Sequence, residues 1–280
     1  MFKFFKKKSL TQTESSTVPL DSFSALAGAT VPVPKRGGIL IGNAQDIGAR
    51  KDQQDSFGLS DVEKMHTLGL LAVVADGMGG LSNGAAYSKA AVQAALQSFN
   101  TEPPEKNDEA TMLRILKRAR EAVANSGLTD GGTTFVAVLI RNQQLHFVSV
   151  GDSRISLMRN GGLIQLNREH VYGRELDDLA LNGILSEEEA TRDRQRAAIT
   201  SYLGKQDEIN VDRNINAIPL FSGDKVLLMS DGVYGYLPEA ELVELLRQKP
   251  MPAAEAIRNA LLAKKNPHQD NLTIIIMEIE

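Results

Sequence analysis

The chain has 280 residues, 42% of them hydrophobic and 24% charged, a globular composition long enough to bury a sizeable core. It has no cysteine, which excludes a disulfide scaffold, a thiolate metal site and a cysteine nucleophile. The net charge of −4 excludes a general basic field for nucleic acid, so no nucleic-acid partner is expected.

Residues 1–36 carry six Lys or Arg against two acids, are rich in Ser, Thr and Pro, and lack a sustained apolar period. They are expected to form a largely disordered basic tail ahead of a domain at 37–280. Within the tail, residues 1–8 set Phe2, Phe4 and Phe5 beside four lysines, a pattern suited to weak contact with an anionic membrane surface. No secretory signal or membrane span is expected, because no window reaches about 18 apolar residues. A cytoplasmic location is expected, in keeping with the absence of cysteine.

Beyond the tail, runs rich in Val, Ile and Leu predict strands over residues 39–41, 68–75, 133–140, 145–150, 155–158, 226–229 and 272–279. Helical periodicity falls at 83–99, 108–124, 238–248 and 253–263. The link Arg141 to Gln144 is short enough for an antiparallel hairpin. Helices come in pairs between groups of strands, not in strict alternation with them. The expected fold is therefore α+β, a packed antiparallel core with helical layers. Residues 167–207 form a charged, locally helical insertion between strands, read as a surface subdomain.

Four aspartates share one setting, the end of an apolar strand beside a small turn residue: Asp76, Asp152, Asp231 and Asp270. A single Asp-Gly after a strand marks a turn. Four carboxylates gathered at one sheet edge would repel one another unless cations lay between them, and hard oxygen donors suit Mg²⁺ or Mn²⁺. Two such ions can bridge a water, lower its pKa and aim the resulting hydroxide at phosphorus. The four histidines are scattered without metal-ligand spacing; His268, two residues before Asp270, is the one placed to donate a proton, with a surface-loop role as its default. Arg50, on a loop after the first strand, is the candidate fork for phosphate oxygens.

The series Arg50…Asp55, Asp76-Gly77-Met78-Gly79-Gly80, Gly132-Thr133-Thr134, Gly151-Asp152-Ser153-Arg154, Ser230-Asp231-Gly232 and Asp270-Asn271 resembles the motif order of the metal-dependent PPM protein phosphatases, the 2C type. Met78 between two glycines resembles the bacterial branch. The resemblance implies an antiparallel β-sandwich between helical pairs, with residues 167–207 as a flap beside the active site. It implies that Asp76 bridges two Mn²⁺ or Mg²⁺ ions, that the Gly77 carbonyl binds one of them, and that Asp231 and Asp270 complete the other. Asp152 matches the position that helps hold a third, weaker ion. Arg50 matches the phosphate-binding arginine, Asp55 the acid supporting metal-bound waters, and Thr134 and Asn271 the scaffold near the site.

The sequence departs from that pattern at Gln54, where an acid is usual, and at Glu169-His170, where the flap usually has Asp-His. The implied activity is hydrolysis of phosphoserine and phosphothreonine by a hydroxide bridging the two ions. The implied partners are phosphorylated proteins, namely a serine/threonine kinase and its substrates. A catalytically weak module that binds phosphoproteins is the alternative, disfavoured because no carboxylate of the set is missing. A metal-dependent nuclease is disfavoured by the acidic body and the lack of a basic, aromatic strip.

Overall fold

The computed structural model describes residues 38–79 and 83–280, so the readings made for the tail lie outside the described residues. In chain order the first half holds β1 (Ile39–Asp46), β2 (Asp55–Leu59), α1 (Met65–Leu68), β3 (Leu70–Gly79), α2 (Asn83–Thr101), α3 (Asp108–Ala124), β4 (Gly131–Thr133), β5 (Phe135–Arg141) and β6 (Gln144–Val150). Then come β7 (Arg154–Arg159), β8 (Gly162–Gln165), α4 (Tyr172–Leu181), α5 (Glu187–Arg192), β9 (Asp212–Arg213) and β10 (Ile218–Pro219). The chain ends with β11 (Lys225–Met229), α6 (Asp231–Tyr234), α7 (Glu239–Leu245), α8 (Pro250–Ala263) and β12 (Leu272–Ile279).

Two antiparallel sheets result, ordered β1-β12-β11-β7-β8 and β10-β6-β5-β3-β2, with β4 added to the end of β3 and β9 to β6. The pleat sorts the apolar runs into layers. Ile275 and Met277 of β12 meet Val74, Val136 and Val138 of the other sheet, while Ile274 and Ile276 turn outward onto Ala253, Ile257 and Leu261 of α8. On the opposite flank Leu71, Val73 and Ala75 of β3 pack on Ala91 and Ala95 of α2 and on Met112 and Ile115 of α3. The order of layers is thus α-β-β-α, as expected. Both faces of the central strands are covered, which is why these antiparallel strands read as unbroken apolar runs instead of alternating ones.

Local chemistry sets the boundaries. Pro250 takes the first turn of α8, where its missing N–H costs no intrahelical bond, so that helix begins three residues earlier than its apolar period. The period-based helix at 238–248 shortens to α7, entered from Pro238. The expected strand at 133–140 is two elements, because β3 pairs with β5 as far as Val74–Val136 and then with β4 from Gly77–Thr133. The β5–β6 turn is tighter than the four residues expected: Arg141 pairs with Gln144, leaving Asn142 and Gln143 at φ of 51° and 57° in a two-residue turn. The short strands β2, β8, β9 and β10 carry too few apolar residues to be seen in the sequence. The insertion holds α4 and α5, the latter opened by a Ser186–Glu189 capping box. Among the described residues no helix is long and apolar enough to cross a membrane.

Backbone meets backbone where α8 crosses β1, since a Cβ added at Gly42 would lie 2.1 Å from the Pro250 carbonyl carbon. Gly42→Ala is therefore expected to lower stability by roughly 1–3 kcal/mol through overpacking. Urea denaturation checks this; an unchanged midpoint would mean that α8 does not sit so close.

Candidate active site

All the strand-end aspartates lie at the same end of the sandwich. Asp55 opens β2 directly opposite Asp76 near the end of β3, Asp152 follows β6, Asp231 opens α6 immediately after β11, and Asp270 precedes β12. Their charges act on one another: Asp76 feels Asp55, Asp231, Asp152 and Asp270 together. The structure thus brings together every carboxylate named from the sequence.

Neutral donors and close backbone contacts hold them in place. The Asp76 N–H donates to Thr134 Oγ1 at 2.8 Å, while the Asp76 carbonyl accepts from Thr133 Oγ1 at 2.9 Å and from the Thr134 N–H at 2.8 Å. Asp55 Oδ2 accepts from Ser230 Oγ and Thr273 Oγ1, both at 2.7 Å. Asn271 ties two loops together, donating to the Ile47 carbonyl at 2.9 Å and accepting from the Gln54 N–H at 2.7 Å. Gly77 is required for space, because a Cβ there would fall 2.1 Å from the Gly84 carbonyl oxygen.

Gly151 has φ of 99° and exchanges two bonds with His170, its N–H donating to Nδ1 at 3.0 Å and its carbonyl accepting from the His170 N–H at 2.9 Å. Nδ1 must then be bare, so this ring is neutral, and burial holds its pKa below the ordinary histidine value.

Burial dominates the electrostatics. It pushes Asp152 up to about 7, with the charge of Asp231 adding to it. It pushes Asp55 up to about 6 against the two hydroxyl bonds, which favour the ionised form. Asp76 is raised well above the carboxylate range by burial and then by its four acidic neighbours, and Asp231 is raised by burial and by Asp270. Asp55 Oδ1, Asp152 Oδ1 and Asp231 Oδ1 are buried with no hydrogen-bond partner.

Among the described residues no three Asp, Glu or His side chains close on one point as a finished cage. The donor set nonetheless suits hard divalent cations: it is all oxygen, short of positive charge, and has three buried carboxylate oxygens unpartnered.

Arg50 is half-exposed and ion-paired to Asp270, whose other oxygen accepts from the Asn271 N–H at 2.8 Å. The Gln54 side chain lies against Gly84, and the Gln54 backbone carbonyl accepts from Ser88 Oγ at 2.6 Å. His268 is on an exposed loop, its carbonyl accepting from Tyr236 Oη at 2.7 Å and its N–H donating to Asn266 Oδ1 at 2.9 Å. Glu169 is buried and ion-paired to Arg154, with Arg174 3.6 Å away. Sequence reasoning gave Ser230 no role beyond its motif and missed Thr273 and Tyr234. Ser230 stands next to Asp231 in Ser-Asp-Gly, the one local signal that could have singled it out.

The α-β-β-α fold is shared with solved phosphatases. The Streptococcus agalactiae serine/threonine phosphatase superposes with a TM-score of 0.72 at 26% identity, over 86% of this chain and 100% of that one. Mycobacterium tuberculosis PstP/Ppp gives 0.69 at 25%, over 86% and 99%. The PstP catalytic domain in complex with 2 manganese ions has the same fold, with a TM-score of 0.67 at 24% identity over 86% and 98%. In sequence, the Listeria innocua serine/threonine phosphatase stp is 29% identical over 218 residues, 74% of this chain and 84% of that protein. A family model for protein phosphatase 2C matches residues 45–269. The chain belongs to the protein phosphatase 2C family, and it is a phosphoprotein phosphatase.

The raised carboxylates predict a pH slope. Between the ordinary Asp value of 3.8 and the folded values near 6 and 7, the folded chain binds more protons than the unfolded one, so stability falls as pH rises through that window. Melting temperature in EDTA is expected to drop from pH 5 to pH 8, and Mn²⁺ at pH 8 is expected to restore it. A flat profile in EDTA would contradict a carboxylate cluster held in this environment.

Proposed function

We propose that the chain is a metal-dependent serine/threonine protein phosphatase that releases phosphate from phosphoserine and phosphothreonine in phosphorylated proteins, a serine/threonine kinase and its substrates among them. The observation that carries this reading is the set of unpartnered buried carboxylate oxygens beside a half-exposed arginine, in a chain of this family. The names of its relatives support the residue specificity, and the manganese complex of the PstP catalytic domain supports the choice of ion.

In this reading Asp76, the Gly77 carbonyl, Asp231 and Asp270 hold two Mn²⁺ or Mg²⁺ ions, and Asp152 helps hold a third. Bound there, such ions would neutralise the carboxylates and would lower the pKa of a water, making it the nucleophile. Arg50 grips the phosphate oxygens with a planar fork of charge-assisted hydrogen bonds and keeps the phosphorus in line. Asp55 is fixed through Oδ2 by Ser230 and Thr273, so its unpartnered Oδ1 is free to accept a proton from the attacking water. Water adds to phosphorus as its proton passes to Asp55, the ester P–O bond breaks, and the serine or threonine oxygen takes up a proton from solvent and leaves as the alcohol. Residues 37–280 form the phosphatase domain, with 167–207 as a flap beside the site, and residues 1–36 carry none of the proposed ligands. The setting proposed is the cytoplasm.

Phosphate release from a phosphothreonine peptide, with Mn²⁺ and with EDTA, tests the reading. Asp76→Asn and Asp231→Asn are each expected to fall below about a tenth of the wild-type rate at saturating Mn²⁺. More activity than that in either would remove the two-ion assignment, and a wild-type protein that binds the peptide without turnover would favour a binding module.

Arg50→Ala is expected to lower kcat/KM by about 10- to 100-fold through lost charge-assisted bonds. Its Mn²⁺ affinity is expected to hold or rise, because Asp270 loses its ion-pair partner. Unchanged kinetics would return Arg50 to a solvated surface charge. Deletion of residues 1–36 is expected to leave peptide hydrolysis intact; a loss would move the domain boundary.

A further inference from the structure

Asp152 lies in the turn Gly151-Asp152-Ser153 between β6 and β7, and three contacts fix that turn. Ser153 Oγ is 2.8 Å from Thr134 Oγ1, Gly151 is doubly bonded to His170, and the Asp152 carbonyl accepts from Tyr234 Oη at 2.9 Å. The first contact joins the turn to the β4–β5 junction and the second to the insertion. The third joins it to α6, which carries Asp231 three residues before Tyr234. One side chain thereby spans the two short segments that present Asp152 and Asp231, each of which buries a carboxylate oxygen without a partner.

Tyr234 is itself well held. The Arg154 guanidinium lies 3.6 Å from the ring centroid, and Arg154 is ion-paired to the buried Glu169. In its hydrogen bond to Asp152 the phenol Oη is the donor and the Asp152 carbonyl the acceptor. A two-torsion side chain stacked on its face and bonded at its tip has little freedom left, which suits a spacer between two ligand-bearing segments.

We propose that Tyr234 is a positioning residue for the cation site, setting the Asp152 carboxylate against Asp231 through its hydrogen bond to the Asp152 carbonyl. It acts through Asp152 and touches neither phosphate nor phosphorus. The proposal rests on the reading of Asp152 as a metal ligand.

Mn²⁺ alone is the probe, titrated calorimetrically into the full chain as wild type, Tyr234→Phe, Asp152→Asn and the double variant. Phenylalanine keeps the ring and its stack with Arg154 and removes only the donor. Tyr234→Phe is expected to weaken about tenfold the Mn²⁺ binding that Asp152→Asn abolishes, and to leave the remaining binding unchanged. In the Asp152→Asn background the phenylalanine is expected to have no further effect. Equal weakening in both backgrounds would indicate a general structural role and overturn the proposal. Unchanged binding in Tyr234→Phe beside altered binding in Asp152→Asn would overturn the positioning role alone. Unchanged binding in Asp152→Asn would overturn the ligand reading and the proposal with it.

Discussion

Two unit charges roughly 5 Å apart repel by about 3 kcal/mol at an effective dielectric near 20, and five carboxylates share one end of this sandwich. Such a cluster survives only on a framework that cannot relax away from it. The three stacked cores supply that rigidity, since strands β3, β5, β11 and β12 are buried along both faces. The side chains that touch the aspartates then settle orientation without settling charge. Ser230 and Thr273 aim Asp55, and Thr134 anchors the Asp76 backbone, but all three are neutral. Arg50 is the sole cation ion-paired to a member of the cluster among the described residues, and it faces solvent. When ionised the cluster carries unbalanced negative charge, and relief of its repulsion contributes to the affinity of the site for cations.

Antiparallel pairing explains why the charges meet. Strands that run toward one end of the sheets deliver a residue there as they finish, and their neighbours deliver one as they begin. Asp76 and Asp231 come at strand ends while Asp55 and Asp270 come at strand starts, so four segments far apart in sequence contribute to one place. Close approach is the second requirement. Gly77 lets the start of α2 come up against the end of β3, and the positive φ of Gly151 turns the chain so that Asp152 enters the cluster.

How much of this could be read from the sequence follows from how local each cause is. The cores were legible because burial on both faces leaves long runs of Val, Ile and Leu, and β12 runs from residue 272 to 279 as expected. The aspartates were legible because each sits beside a glycine or another small residue after or before such a run. Asp55 as a strand residue was not, because β2 has only Phe57 and Leu59 to announce it and gains its order from pairing with β3. Thr273 was invisible for a different reason. Its hydroxyl bond spans 218 residues to Asp55, and on its own strand it is one polar residue in an apolar run. Tyr234 likewise reads as an ordinary aromatic of a short helix until the fold brings the Asp152 carbonyl to its hydroxyl.

The insertion is tied to the carboxylate cluster at its base and exposed further out. At its base, His170 meets the Asp152 turn mainly through backbone groups, bonding the N–H and carbonyl of Gly151. Glu169 is buried beside it and holds Arg154, which stacks on Tyr234, so the chain from insertion to carboxylate runs through charge and ring contacts of fixed geometry. A glutamate where the family usually has aspartate extends one methylene further, and here that carboxylate is ion-paired to Arg154 with Arg174 also close by. Away from the base the constraint disappears: Leu181 and Ile184, at the end of α4 and in the turn after it, are 85% and 72% exposed. Residues that hold the Asp152 turn are thus bound by geometry, whereas Leu181 and Ile184 on the outer surface of the same insertion are not packed against the body of the domain.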